Sequence, residues 1–79
     1  MRNHRLYEVR QDRSVGGWKI VTGKGTCVKR TETRREAEAD ARRRARLAAS
    51  EFGVNTTLRI RNANGTVSEE RSYSASSSF

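Results

Sequence analysis

The chain is short of the residues that cross-link, bind metal or do chemistry in most small domains. It has one cysteine, Cys27, and one histidine, His4. A single thiol closes no internal disulfide, so the stapled framework of a small secreted domain is excluded. Four nitrogen and sulfur ligands cannot be assembled from one Cys and one His, which excludes a structural zinc site. A Cys–His nucleophile pair is the one reactive combination left. Cys27, however, falls in a strand pattern and His4 in a charged N-terminal stretch, so a half-buried strand thiol and a solvated imidazole are expected. No apolar run reaches ten residues. That leaves no membrane span and no signal-peptide core, and a soluble cytoplasmic protein is expected. Aromatic residues are few: one Trp, two Tyr and two Phe. Only one falls on each of the first two predicted strands, so the paired stacking surface of single-strand RNA modules is missing.

What is present is charge. Among 79 residues, 33% are hydrophobic and 33% charged, with a formal net charge of +8. A chain this small buries only about 60% of the surface it exposes when unfolded. One domain with a modest core is expected, and no deep catalytic cavity. The cations are unevenly placed. Residues 1–31 carry eight basic and two acidic side chains, residues 32–53 six and five, and residues 54–79 three and two. Charge concentrated in one region suits a polyanionic partner better than it suits solubility alone.

Local patterns predict five strands and a helix. Leu6 to Gln11 alternates, with Tyr7 and Val9 on one face and Glu8 and Arg10 on the other. Gly16-Gly17 ends a loop, Trp18 to Thr22 is a second strand, Gly23-Lys24-Gly25 a turn, and Thr26 to Thr31 a third strand. Thr33 to Glu36 has capping-box form. At 100° per residue Ala37, Ala41, Ala45, Ala48 and Phe52 fall within an arc of about 80°, the face expected to meet a sheet. Glu38–Arg42 and Asp40–Arg44 are favourable i,i+4 pairs, and Gly53 suits a left-handed helix terminus. Thr56 to Arg61 alternates again, with Leu58 and Ile60 inward. Asn62 to Gly65 is a turn, and Thr66 to Arg71, whose only apolar residue is Val67, reads as an edge strand. The expected architecture is α+β, ordered β-β-β-α-β-β, with one helix on one face of a mainly antiparallel sheet. Residues 1–5 are expected to be a flexible basic arm, 6–71 the single domain, and 72–79 a serine-rich disordered tail.

In order and spacing, Tyr7-Glu8-Val9, Gly16-Gly17-Trp18-Lys19-Ile20, Thr33 with Glu36-Ala37 and Ala41-Arg42, Leu58-Arg59-Ile60, Asn64-Gly65-Thr66-Val67 and Ser72-Tyr73 form one pattern. It resembles the short bacterial proteins grouped as domain of unknown function 2188, over about residues 7–73. The helix here is richer in Arg, and Asn64-Gly65 stands where an aspartate-glycine turn is usual. The resemblance implies a compact α+β domain and no chemistry. Residues 5–48, three basic strands followed by Thr33-x-x-Glu36-Ala37, are also similar in layout to the arm-binding domain of tyrosine recombinases. That likeness implies a sheet laid into a DNA major groove.

Two basic surfaces follow. If the apolar strand residues face the helix, Arg10, Lys19, Arg59 and Arg61 share the other sheet face, with Lys29 if Val28 points inward; Glu8 and Val21 dilute this patch. Such cations reach phosphates and base edges, or else simply keep a small sheet soluble. On the helix, Arg35, Arg42, Arg43 and Arg46 form a second surface, partly neutralised by Glu36, Glu38 and Asp40. Trp18 reads as a core anchor, no glycine-rich phosphate loop is present, and the carboxylate pairs have no pocket to shift their pKa values. The expected function is a non-enzymatic nucleic-acid-binding module without cofactor or metal, taking DNA ahead of RNA through the sheet face. The alternative is an adaptor or inhibitor, of phage or mobile-element type, that docks on an acidic protein surface.

Overall fold

In the computed structural model, which describes residues 4–75, the period-two segments become strands and the alanine-striped segment a helix. The elements are β1 (His4–Gln11), β2 (Trp18–Thr22), β3 (Cys27–Thr31), α1 (Arg34–Ser50), β4 (Asn55–Arg61) and β5 (Val67–Tyr73). They form one α+β domain in the expected β-β-β-α-β-β order. The five strands make a single sheet in the order β3-β2-β1-β4-β5. Three of its pairs are antiparallel, and β1–β4 is parallel. The chain reverses twice through β2 and β3, and α1 then returns it to the starting end, so β4 sets out in the direction of β1. The edge position expected for the fifth strand is found. β1 is the centre of the sheet, and the three-strand meander is therefore one side of a five-stranded sheet.

Tyr7, Val9, Ile20, Leu58 and Ile60 meet Ala37, Ala41, Ala45 and Ala48, with Trp18, Val28 and Tyr73 packed around them. All four alanines are at most 1% exposed. Small side chains let the helix lie close to the sheet, and the bulk of the core comes from the strands. The Thr33 hydroxyl accepts the Glu36 amide at 3.2 Å while the Glu36 carboxylate accepts the Thr33 amide at 3.2 Å, so both halves of the capping box are present. At the other end α1 stops at Ser50, and Gly53 takes a φ of +65°. The Val54 amide reaches back to the Ala48 carbonyl at 3.0 Å. Phe52, expected on the apolar stripe, is 70% exposed instead, and Val54 is the buried residue there. The helical phase no longer applies to Phe52, because the backbone has already left the helix.

The predicted domain limits shift at both ends. His4 and Arg5, assigned to the arm, are part of β1, and Ser72 and Tyr73, assigned to the tail, are part of β5. In each case a neighbour fixes the residue: His4 pairs with Asn55, and Tyr73 with Thr56. The remainder of the arm, 1–3, and of the tail, 76–79, lie outside the described residues.

Candidate nucleic-acid interface

Side chains of alternate parity leave the core and stand on the sheet face that α1 does not cover. The registers Glu8↔Arg59, Glu8↔Val21 and Arg59↔Glu70 set one rung across the strands. The next rung holds Arg10 opposite Lys19 and Lys19 opposite Arg30. Arg61, one residue beyond the Val9↔Ile60 pair, stands beside Arg10. Four cations from four adjacent strands thus form one row: Arg61, Arg10, Lys19, Arg30. With strands about 4.8 Å apart the row spans about 14 Å.

Lys29 is not in that row. A regular β2–β3 pair would place it opposite Lys19, but a bulge shifts the register between Ile20 and Val21, and Lys29 falls opposite Ile20, a helix-side residue. One extra residue exchanges the two faces beyond it, so Arg30 takes the place expected of Lys29. Val28 does pack against the core, as the expectation required. Nothing in the run Cys27-Val28-Lys29-Arg30 announces the bulge.

Glu8, expected only to dilute the patch, is its hub. The residue is 4% exposed and accepts from three arginines. Arg10 Nε lies at 3.0 Å, with a second, shorter bond from Arg10 Nη2, Arg61 Nε at 2.8 Å and Arg59 Nη1 at 3.5 Å. Burial alone pushes the Glu8 carboxyl up, but the hydrogen bonds and charges of Arg10 and Arg61 outweigh it, and its pKa settles below the ordinary value. Arg59 also donates to Glu70 at 3.0 Å. At the far end of the row Asp12, 1% exposed, accepts the Ser14 hydroxyl at 2.7 Å and Arg30 Nε at 2.9 Å. These bonds, Ser14 first, hold its carboxyl well below the usual range. Only Lys19 in the row has no carboxylate partner among the described residues. A sheet face of this kind presents charge-assisted donors held in place by internal acids.

The helix surface is different. Arg42 is held by Glu38 at 3.2 Å and by Glu69 of β5 at 3.1 Å, and Arg43 by Asp40 at 3.4 Å. Arg44 shares Asp40, and Arg34 binds Glu38 while its guanidinium lies 5.7 Å from the Trp18 ring centre. Both i,i+4 pairs named from the sequence are present. Of the four expected helix cations, Arg35 and Arg46 alone lack an ion pair among the described residues. Trp18, expected to anchor the core, is partly buried and packs against its edge. Cys27 is half-buried in β3, and His4 is exposed, its Nε2 3.2 Å from the Thr57 hydroxyl. No described helix is long and apolar enough to cross a membrane.

A family model described as an uncharacterized protein conserved in bacteria (DUF2188) matches residues 7–73, most of the chain. No curated protein and no solved structure matches it.

Proposed function

We propose that this chain, which belongs to the DUF2188 family, is a small nucleic-acid-binding module that acts by binding and not by catalysis. The observation that carries the reading is the row Arg61–Arg10–Lys19–Arg30 on the uncovered sheet face. Guanidinium groups suit phosphate because their planar donor forks match its oxygens, and donors already oriented by Glu8 and Asp12 lose little freedom on binding. Duplex DNA is favoured over single-stranded RNA, because Trp18 packs at the core and leaves the row without an aromatic platform.

One observation favours the second reading, a protein partner with an acidic surface. Leu47 is 45% exposed and shares a groove with Tyr73, Arg43 and Arg46. A mixed apolar and basic groove suits a protein better than a phosphate backbone.

The test is a salt series of binding to duplex DNA. Four phosphate contacts give a slope of about −3.6 in log K against log salt. Lys19→Gln should reduce it by about one unit. The double change Arg35→Gln with Arg46→Gln should leave it unaltered. Absence of binding at low salt, or a larger effect from the helix pair, removes the sheet-face reading and brings forward the protein partner.

A further inference from the structure

The two parallel strands, β1 and β4, run out at the same end of the sheet. The segments that follow them, 12–17 and 62–66, wall an open cleft of about 540 Å³. Its size falls within the range of small-ligand sites, roughly 300–1,000 Å³. Four cations line it, Arg10, Arg13, Lys19 and Arg61, against one carboxylate, Asp12. That carboxylate is already occupied by Ser14 and Arg30.

The donor inventory shows what remains for a ligand. A guanidinium carries five N–H donors and an ammonium three. Arg10 uses Nε and Nη2 on Glu8, which leaves Nη1 without a partner among the described residues. Arg61 uses Nε on Glu8 and Nη1 on the Gly65 carbonyl at 2.7 Å, which leaves Nη2. Arg13 uses Nη2 on the Ala63 carbonyl at 2.8 Å, which leaves Nε and Nη1. That last bond also ties one wall of the cleft to the other. The Lys19 ammonium donates to no described residue. Each guanidinium is therefore pinned by protein acceptors while keeping donors in reserve.

We infer that this cleft is a binding site for a phosphomonoester, the terminal phosphate of a nucleic-acid strand or of a free mononucleotide. The inference rests on the nucleic-acid reading above and gives Arg10, Lys19 and Arg61 of the row an end-directed use, to which the cleft adds Arg13. An internal phosphodiester carries one charge and is served by the flat row. A monoester carries close to two charges at neutral pH and three terminal acceptor oxygens, which suits a concavity whose four cations, with Arg30, outnumber Asp12 and Glu8 by three. The volume leaves room for the attached sugar.

The experiment uses the full chain, amide NMR spectra and four probes: inorganic phosphate, a nucleoside 5′-monophosphate, and one DNA duplex with and without a 5′-phosphate. Phosphate and the monophosphate should shift the amides of residues 12–17 and 62–65, and the phosphorylated duplex should bind on the order of tenfold tighter than its unphosphorylated twin. Arg13→Gln should erase that difference and leave binding of the unphosphorylated duplex and its salt slope unchanged. Equal binding of the two duplexes with no phosphate-induced shifts overturns the inference and leaves the cation row standing. Shifts spread over Arg35 and Arg46 as well overturn it too, because the phosphate is then reading net charge. Phosphate shifts at the cleft with no binding of either duplex sink the nucleic-acid reading and assign the cleft to small phosphomonoesters.

Discussion

Arg61 Nε donates to Glu8 Oε2 at 2.8 Å across the parallel seam between β4 and β1, joining residues 53 positions apart. The bond does two things. It closes the centre of the sheet on its uncovered face, and it fixes the orientation of one member of the cation row.

Glu8→Gln keeps the size of the side chain and removes its charge. Three guanidinium groups would then face one another with Glu70 as their remaining carboxylate. Bonds to charged groups of this burial are worth roughly 1.5–3 kcal/mol. We expect a loss of about 2 kcal/mol, or a fall in Tm of about 10 °C for a domain of this size. Glu69→Gln, which loosens the more exposed pairs to Arg42 and Arg71, should cost about 0.5 kcal/mol. Equal losses in thermal melts would deny Glu8 its role as hub.

Acid should unfold the domain in a graded way. The pKa of Glu8 is held below its ordinary 4.5 and that of Asp12 below its ordinary 3.8. The unfolded chain therefore binds protons at higher pH than the folded one. The stability these two groups contribute is complete above about pH 5 and drains away as the pH falls through their folded values. Asp12, held well below the usual range, keeps part of its contribution into strong acid. Urea midpoints measured from pH 7 to pH 2 should decline below pH 5, with a shallower decline for Glu8→Gln. A wild-type midpoint flat to pH 3 would contradict both assignments.

The helical phase predicts a sharp contrast between neighbours on α1. Ala41 is fully buried against the strands, whereas Ala39 is exposed. Ala41→Glu forces both volume and charge into the helix–sheet contact and should cost several kcal/mol, enough to unfold much of the population given stabilities of about 5–15 kcal/mol. Ala39→Glu should shift Tm by little. Circular dichroism melts of the pair decide the matter, and similar midpoints would place the helix wrongly on the sheet.

Gly17 and Gly16 separate space from backbone conformation. Both have positive φ, +76° and +83°. A Cβ on Gly17 would lie 2.5 Å from the Thr31 carbonyl oxygen, whereas one on Gly16 meets nothing within 4 Å. Gly16→Ala should cost about 1 kcal/mol from the left-handed backbone alone. Gly17→Ala adds a collision with main chain at the β2–β3 end and should cost about 3 kcal/mol. Denaturant titrations that gave equal costs would show that the loop yields freely around Gly17.

The features legible in the sequence were those set within a few residues. The alanine stripe fixed which helix face meets the sheet, Thr33 and Glu36 marked its start, and alternation assigned Tyr7, Val9, Leu58 and Ile60 inward. Arg10, Lys19, Arg59 and Arg61 followed on the opposite face by the same rule. Pairing between distant strands was not legible. Nothing local states that β4 joins β1, so the gathering of Arg61 and Arg10 on Glu8 could not be read. The exchange of Lys29 for Arg30 turns on a bulge, a register event without a residue signature here. Arg13 sits in a loop with no periodicity to mark it, and only the fold brings that loop against Ala63.

The position of β1 between β2 and β4 also governs when the protein becomes itself. Synthesis delivers β1, β2, β3 and α1 first, with one edge of the central strand still open and Leu58 and Ile60 missing from beneath the helix. At about 5–20 residues per second, the roughly fifty residues between the partners of the seam take several seconds to arrive. The strand that then closes the sheet is also the one that carries Arg59 and Arg61. A nascent or truncated chain lacking β4 therefore lacks half of its central seam and one member of its cation row at once.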